Sequence, residues 1–350
     1  VLSDAFDRLS PVLRQRYREL LEREFTDSPE LSDLHRLYID YALRDAHLPR
    51  PVLAYVGYHA DSATVDFSDA DTIAEGLLIA QLLRDVLAIH DDIVDEDLEK
   101  FGAAPLPVAF SGGERLTQHG KNLALYYADY LVGVMLRVAA RLPAAARVSA
   151  LIAEILHTNQ RGQLAELLAE TRPLTATSVD DLLLIGERKA AYYCYVFPFR
   201  LGALLAGHDE RHIDPAAAVL TRIGTASQVI DDLTGAFPGL IDHDKDTLGE
   251  IANLRRTVPL VLLAQSTRDA QVRHLLESPP PLGGQDAHRL RSALWNSTVP
   301  AEAVRLCDGL IADITPRLNG LALGAPATQY LNDLVEHRLI GSVDRLRAGK

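Results

Sequence analysis

The chain has 350 residues, 48% of them hydrophobic, and 35 basic against 48 acidic side chains give a formal net charge of −13. An acidic chain without a basic run cannot neutralise a phosphate backbone, so nucleic acid is excluded as a partner. Cys194 and Cys307 are the only cysteines, which argues against a disulfide framework or a thiolate zinc site. The twelve histidines form no cluster at zinc-ligand spacing. The opening "VLSDAFDRLS" lacks the basic and apolar regions of a signal peptide. No membrane span is expected, because the longest apolar run noted, "AAYYCYVFPF" (190–199), is half the ~20 residues a span needs. The balance suits a soluble, cytoplasmic protein.

In chain order, Ser10-Pro11 reads as an N-cap with a first-turn proline opening "VLRQRYRELLEREF". Residues 72–95 carry a long helical pattern, as do 119–142 and 146–170. Ser178 and Asp181 form a capping box for a helix over 179–207. Further patterns cover 214–234, 257–277, 285–295, 300–318 and 326–348, with turn residues at "SGGE", "TRPLTATS" and "SPPPLGG". No composition shift or fixed-period repeat appears. The expected fold is all-α, a single domain over 1–350 in which many helices form a bundle around a central cavity. Several helices are apolar nearly all round and belong inside it.

Two of those apolar helices end in aspartates. "AIHDDIVDED" (88–97) places Asp91 and Asp95 four apart on one helical face, with Asp92 beside Asp91. Like charges at that spacing destabilise a helix, and the C-terminal end of the macrodipole disfavours anions. A hard divalent cation reverses both penalties. "QVIDDLTG" (228–235) repeats the arrangement with Asp231 and Asp232. One such pair alone reads as a solvated helix end; two, each behind a long apolar run, point to metal ions holding a diphosphate. Such a ligand also needs cations. Lys189 interrupts an apolar helix, where burying an ammonium is costly without a partner, and Lys245 and Arg255 follow the second pair. Each has a plain reading as a surface cation, easiest for Lys245 and hardest for Lys189.

These residues resemble the trans-isoprenyl diphosphate synthases, or polyprenyl synthetases, of the class I terpenoid synthase fold. Asp91, Asp92 and Asp95 match the family's D-D-x-x-D, and His90 is a common neighbour. "GQLAE" (162–166) is similar to G-Q-x-x-D, with Glu166 for Asp, and Lys189 falls at the family's K-T pair, with Ala190 for Thr. Gln228, Asp231 and Asp232 match Q-x-x-D-D-x-x-D, whose last Asp is Gly235 here. "EIANLRRTVP" (250–259) resembles D-l-x-x-G-K-x-T-x-P, with Arg255 at the Lys. The resemblance implies about three Mg²⁺ ions held by Asp91, Asp95 and Asp231. It also implies an allylic prenyl diphosphate bound with Lys100, Lys189, Gln228, Asp232, Lys245 and Arg255. Ionisation would then leave a carbocation in a dry pocket.

The acceptor side departs from the family. Its G-K-x-x-R-P reads "DAHLPRP" (45–51), keeping Arg50 and Pro51 but placing His47 at the Lys. Its R-R-G reads Lys100, Phe101, Gly102, and Arg84 stands where the acceptor site usually has His or Gln. Val86 and Leu87, one turn before the first pair, would set chain length; neither is aromatic, which favours C15 or longer products. Three readings stay open. The first is a prenyltransferase using isopentenyl diphosphate or another acceptor. The second is a terpene synthase without an isopentenyl acceptor, although "DDLTGAFPG" lacks the cyclase motif N-D-x-x-S-x-x-x-E. The third is a non-catalytic subunit. By family analogy the protein is a homodimer. Tyr192, Tyr193 and Tyr195 read mainly as core, with some lining the pocket.

Overall fold

The computed structural model describes residues 2–44, 47–100, 102–237 and 247–348. Among these, every regular element is helical, and the one β-type pairing is an isolated bridge between Lys100 and Ala103. The helices are α1 (Leu2–Glu24), α2 (Ser32–Ala42), α3 (Pro49–Tyr58), α4 (Ala70–Leu77), α5 (Ile79–Asp95), α6 (Leu106–Ala109), α7 (Gln118–Ala140) and α8 (Ala145–Glu170). They continue as α9 (Val179–Gly186), α10 (Phe197–Ala206), α11 (Glu210–Ala236), α12 (Thr247–Ala252), α13 (Val258–Ser266) and α14 (Ala270–Leu276). The last are α15 (Gly284–Trp295), α16 (Val299–Ile311), α17 (Ile314–Asn319), α18 (Ala325–Leu334) and α19 (Gly341–Ala348). Two π-helical segments, Glu187–Val196 and Val335–Ile340, join α9 to α10 and α18 to α19.

The chain divides into two compact units. The first comprises Val1–Glu154, Tyr193–Asp214 and Ala322–Tyr330. There α1 lays Leu9, Leu13, Tyr17, Leu20 and Leu21, all buried, onto α3 and α4. α5 is buried against α7, and α3 against α10. The last contact is backbone to backbone: a Cβ at Gly202 would lie 1.7 Å from the Ala54 carbonyl oxygen, and one at Gly57 2.1 Å from that of Phe199. This approach brings the start of α3 to residues 193–194. The second unit comprises Ile155–Tyr192, Pro215–Leu321 and Leu331–Lys350. In it α12 packs on α15, α13 on α16, and α16 on α19.

Several sequence expectations are corrected. Pro11 lies inside α1, and Ser10 donates its hydroxyl to the His47 carbonyl at 2.7 Å rather than capping a helix. The apolar stripe of α1 spans Pro11, so tertiary burial outweighs the one lost backbone bond. α2 and α3 were not anticipated: both are short, and α3 carries Pro49 and Pro51 at its start, so neither gives much periodic signal. The pattern over 72–95 breaks at Leu78, and that over 257–277 breaks ahead of Asp269, which caps α14 through the Gln271 and Val272 amides. Among the described residues one helix is long and apolar enough to cross a membrane by length and composition alone. α7 has 23 residues and an 18-residue window of mean hydropathy 1.4, of which 44% is buried. Its Leu, Val, Ala and Met residues raise that average, while Lys121, Asp129 and Arg137 keep it from being an unbroken apolar run. The Ser178–Asp181 capping box is formed in both directions.

Candidate active site

In the first unit the carboxylates sit at the end of α5, which stops at Asp95 because Glu96 turns left-handed at φ 57°. Asp91 and Asp95 are half-buried on one helical face. Asp92 points inward and is 1% exposed. Lys100 donates to Asp92 Oδ1 at 2.8 Å and stands 4.0 Å from Asp91 Oδ2, while the Tyr41 hydroxyl donates to Asp92 Oδ2 at 3.3 Å. Burial pulls the Lys100 ammonium down, but Asp92 and Asp91 outweigh it and hold its pKa above the ordinary value. The bridge from Lys100 to Ala103 orients this lysine. His90 is lowered by burial and so stays neutral, and its Nδ1 is buried without a hydrogen-bond partner among the described residues.

One turn earlier, Arg84 stands 3.1 Å from Asp85 and 5.9 Å from the Tyr41 ring centroid. Asp85 is wholly buried and accepts from Gln81 (2.9 Å), Tyr17 (2.7 Å) and Tyr38 (2.9 Å). Burial raises its carboxyl pKa, against the opposing pull of Arg84. Arg50, at the start of α3, donates to Cys194 Sγ at 3.1 Å and covers the Tyr193 ring at 5.1 Å. Its Nε is buried without a hydrogen-bond partner among the described residues. Tyr193 feels both Arg50 and Asp91. Arg50, Arg84, Tyr41, Lys100 and the first aspartates therefore form one neighbourhood. His47 is exposed, its ring set edge-on to Phe6 at 5.6 Å. Val86 and Leu87 are buried core positions of α5. Phe101 lies outside the described residues, as does Lys245.

In the second unit, Lys189 sits in the first π-helical segment and donates to Glu166 Oε2 at 2.6 Å. Asn159 donates to the Lys189 carbonyl at 2.6 Å. Gly162 lets α8 come this close, since a Cβ there would lie 2.6 Å from the Lys189 amide nitrogen. On α11, Gln228 donates to Asp232 Oδ1 and the Val258 amide to Asp232 Oδ2, both at 3.0 Å. Burial, aided by Glu250 and Asp231, pushes the Asp232 carboxyl up to about 7. Asp231 pairs with Arg338 at 2.5 Å, and Arg338 also donates to Ser227 at 3.2 Å. Arg255 pairs with Glu170 at 3.0 Å.

Sequence reasoning missed Arg338, Asp85 and Tyr41. Arg338 lies in the second π-helical segment, more than a hundred residues from Asp231, and the lone basic residue of "VEHRLI" was its only signal. Asp85 left a clearer trace, an acid inside an apolar helix.

An all-α chain with two aspartate clusters, each held by basic side chains, defines the class of an isoprenoid synthase. Residues 33–280 match the family model for polyprenyl synthetase, and the chain belongs to that family. It is 26% identical over 274 residues to a nonaprenyl diphosphate synthase of Mycobacterium tuberculosis, covering 75% of this chain and 73% of that one. It is also 26% identical to a (2E,6E)-farnesyl diphosphate synthase of Mycobacterium bovis, over 60% of this chain but only 55% of that one. A solved geranylgeranyl pyrophosphate synthase of Corynebacterium glutamicum, complexed with isoprenyl diphosphate and magnesium, has the same fold. Its TM-score is 0.81 at 19% identity, over 97% of this chain and 99% of that one. A geranylgeranyl pyrophosphate synthase of Lactobacillus brevis gives 0.76 at 20%, over 94% and 96%. The protein is a prenyltransferase of isoprenoid biosynthesis; these relatives do not favour the terpene-synthase or non-catalytic readings.

Proposed function

We propose that the protein ionises an allylic prenyl diphosphate and transfers the prenyl cation to isopentenyl diphosphate. The observation that carries this reading is Arg50. Its guanidinium is paired with a thiol and a phenol ring, and no carboxylate among the described residues neutralises it. A half-buried cation of this kind favours an anionic acceptor, and Arg84 adds a second guanidinium close by. An aromatic acceptor without a diphosphate would gain only the weaker cation–π attraction that Tyr193 and Tyr41 already make.

Mg²⁺ fits the acidic residues. The donors are carboxylate oxygens, as a hard cation requires, and a lysine and an arginine already hold positive charge against Asp92 and Asp231. Among the described residues no three acidic, imidazole or thiol groups form a preformed cage. That suits an ion taking one or two carboxylates and filling its shell with water and phosphate. Asp91, Asp95 and Asp231 would hold about three such ions. When bound, Mg²⁺ supplies Lewis-acid activation of the leaving diphosphate.

The chain's own groups do the remaining work. Lys100, Lys189 and Arg255 neutralise the departing diphosphate, each pre-oriented by an acidic partner. Lys245, which follows the second aspartate pair in sequence, belongs to the same set by the family resemblance. Gln228 and the Val258 amide fix Asp232 beside Asp231. Val86 and Leu87 leave the chain-length position aliphatic, which supports products of C15 or longer. His47 contributes less than the lysine it replaces, because its ring packs on Phe6.

We also read the chain as one isoprenoid-synthase domain, since a single solved synthase is matched over 97% of it. The exposed Leu125, Tyr126 and Leu136 of α7 support a homodimer. The acidic charge of −13 supports a cytoplasmic location.

The test is a product assay with Mg²⁺ and each of dimethylallyl, geranyl, farnesyl and geranylgeranyl diphosphate, with and without isopentenyl diphosphate. A longer diphosphate formed only with isopentenyl diphosphate is expected. A hydrocarbon or alcohol from the donor alone would refute the acceptor assignment. Asp91→Ala and Asp231→Ala should each abolish diphosphate release, and turnover retained in both would refute the metal assignment.

A further inference from the structure

A diphosphate carries more negative charge than one guanidinium neutralises. In the acceptor neighbourhood Arg84 gives part of its charge to Asp85 at 3.1 Å, and Lys100 is committed to Asp92 at 2.8 Å. Position 101 is phenylalanine and adds no cation. A further guanidinium nevertheless stands at the same tyrosine ring. Arg44 Cζ lies 5.4 Å from the Tyr41 ring centroid and Arg84 Cζ 5.9 Å, so the two are no more than about 11 Å apart. The Tyr41 hydroxyl donates to Asp92, which ties this ring to the first aspartates.

Arg44 is exposed, yet it is held in place. The Arg14 guanidinium donates to the Leu43 carbonyl at 2.6 Å and the Arg44 amide to the Tyr41 carbonyl at 3.3 Å, which fixes the backbone just after α2. Arg44 Nη1 donates to the Ala104 carbonyl at 2.5 Å, next to the Lys100–Ala103 bridge that orients Lys100. A guanidinium has five N–H donors, and among the described residues only this Nη1 has a hydrogen-bond partner. No carboxylate among the described residues pairs with it. Holding a long side chain in one pose costs rotamer entropy, and its partners here, a carbonyl and a ring, leave its charge uncompensated.

We propose that Arg44 is a third cationic ligand of the acceptor diphosphate, beside Arg50 and Arg84. This rests on the reading of Arg50 as an acceptor residue.

The experiment is calorimetric titration of isopentenyl diphosphate into the protein, with chelator and again with Mg²⁺, and a thermal melt as the folding check. Arg44→Gln removes the charge and keeps a polar side chain; it should weaken binding about tenfold with the melt unchanged. Arg44→Lys keeps the charge and should retain most of the affinity. Arg36→Gln removes the same charge from a residue of α2 that pairs with Asp33 at 3.0 Å, and should bind as the parent does. In steady-state assays Arg44→Gln should raise KM for isopentenyl diphosphate and leave that for the allylic donor unchanged. Parental affinity in Arg44→Gln, with binding weakened in Arg50→Ala, would overturn the inference and leave the acceptor reading standing. Equal losses in Arg44→Gln and Arg36→Gln would overturn it too, since the cause would be the general field of the protein. A parent that binds no isopentenyl diphosphate under either condition would remove the acceptor reading, and this inference with it.

Discussion

Replacing Gly162 by alanine should disable the enzyme without unfolding it. The new Cβ would lie 2.6 Å from the Lys189 amide nitrogen, 3.0 Å from its Cα and 3.1 Å from the Arg188 carbonyl carbon. Ordinary contact begins at 3.4 Å, so the backbone at 188–189 must retreat by the difference between 3.4 and 2.6 Å, roughly 0.8 Å. All three obstructing atoms are main chain and cannot swing aside as a flexible side-chain end would. Overpacking of this kind costs about 1–3 kcal/mol, a Tm decrease of a few degrees in a chain this long. The larger consequence is positional. The retreat strains the 2.6 Å bond from Asn159 to the Lys189 carbonyl and draws Lys189 away from Glu166, also 2.6 Å distant. A displacement of about 1 Å in a group that stabilises a leaving diphosphate costs on the order of 100-fold in rate. Steady-state kinetics with an allylic donor and isopentenyl diphosphate, beside a thermal melt, would measure both effects. Gly133→Ala on α7 is the matched control: its Cβ meets nothing within 4 Å, and it should stabilise by about 0.5–1 kcal/mol with kinetics unchanged. A Gly162→Ala enzyme with parental kcat/KM and Tm would refute the account of how Lys189 is placed.

Three further outcomes are expected. Asp232 titrates near 7 in the folded protein against an ordinary 3.8, so its contribution to stability is full below about pH 4 and is lost as pH rises through about 7. In the presence of a chelator, the Tm advantage of Asp232→Asn over the parent should therefore grow between pH 5 and 8, and a constant difference would contradict the shift. Arg338 competes with a cation for Asp231, so Arg338→Ala should lower the Mg²⁺ concentration giving half-maximal activity, while its Tm falls by no more than about 1 kcal/mol equivalent because the pair is partly exposed. An unchanged or higher Mg²⁺ requirement would rule out that competition. Arg50→Ala should raise KM for isopentenyl diphosphate at least about tenfold with little change for the allylic donor; equal effects on both substrates would show that Arg50 serves the fold and not the acceptor.

The aspartate pairs were legible because their meaning is local. Asp91 and Asp95 share a face through helix periodicity alone, and the apolar run before them announces a buried helix. The capping box of Ser178 and Asp181 is local for the same reason. Lys189 drew notice as a charge inside an apolar helix, and Glu166 proved to be its partner. What only the tertiary structure decided depends on residues distant in sequence. Arg338 reaches Asp231 across 107 positions, and Asp85 collects hydroxyls from Tyr17 and Tyr38, 68 and 47 positions away. Nothing in a helical pattern encodes such pairings, because periodicity fixes which face a residue occupies and not what that face meets. The π-helical turns at Glu187–Val196 and Val335–Ile340 were likewise invisible, since a change in turn length leaves no mark in composition. Pro11 shows the converse: with Ser10 it reads as a helix start, yet the burial of Leu9, Leu13 and Tyr17 on either side of it carries one helix through. The sequence by itself singled out the aspartates and lysines proposed to act on the donor. The fold decided how they are held, because the partners that orient and neutralise them come from helices that meet only when the chain is packed.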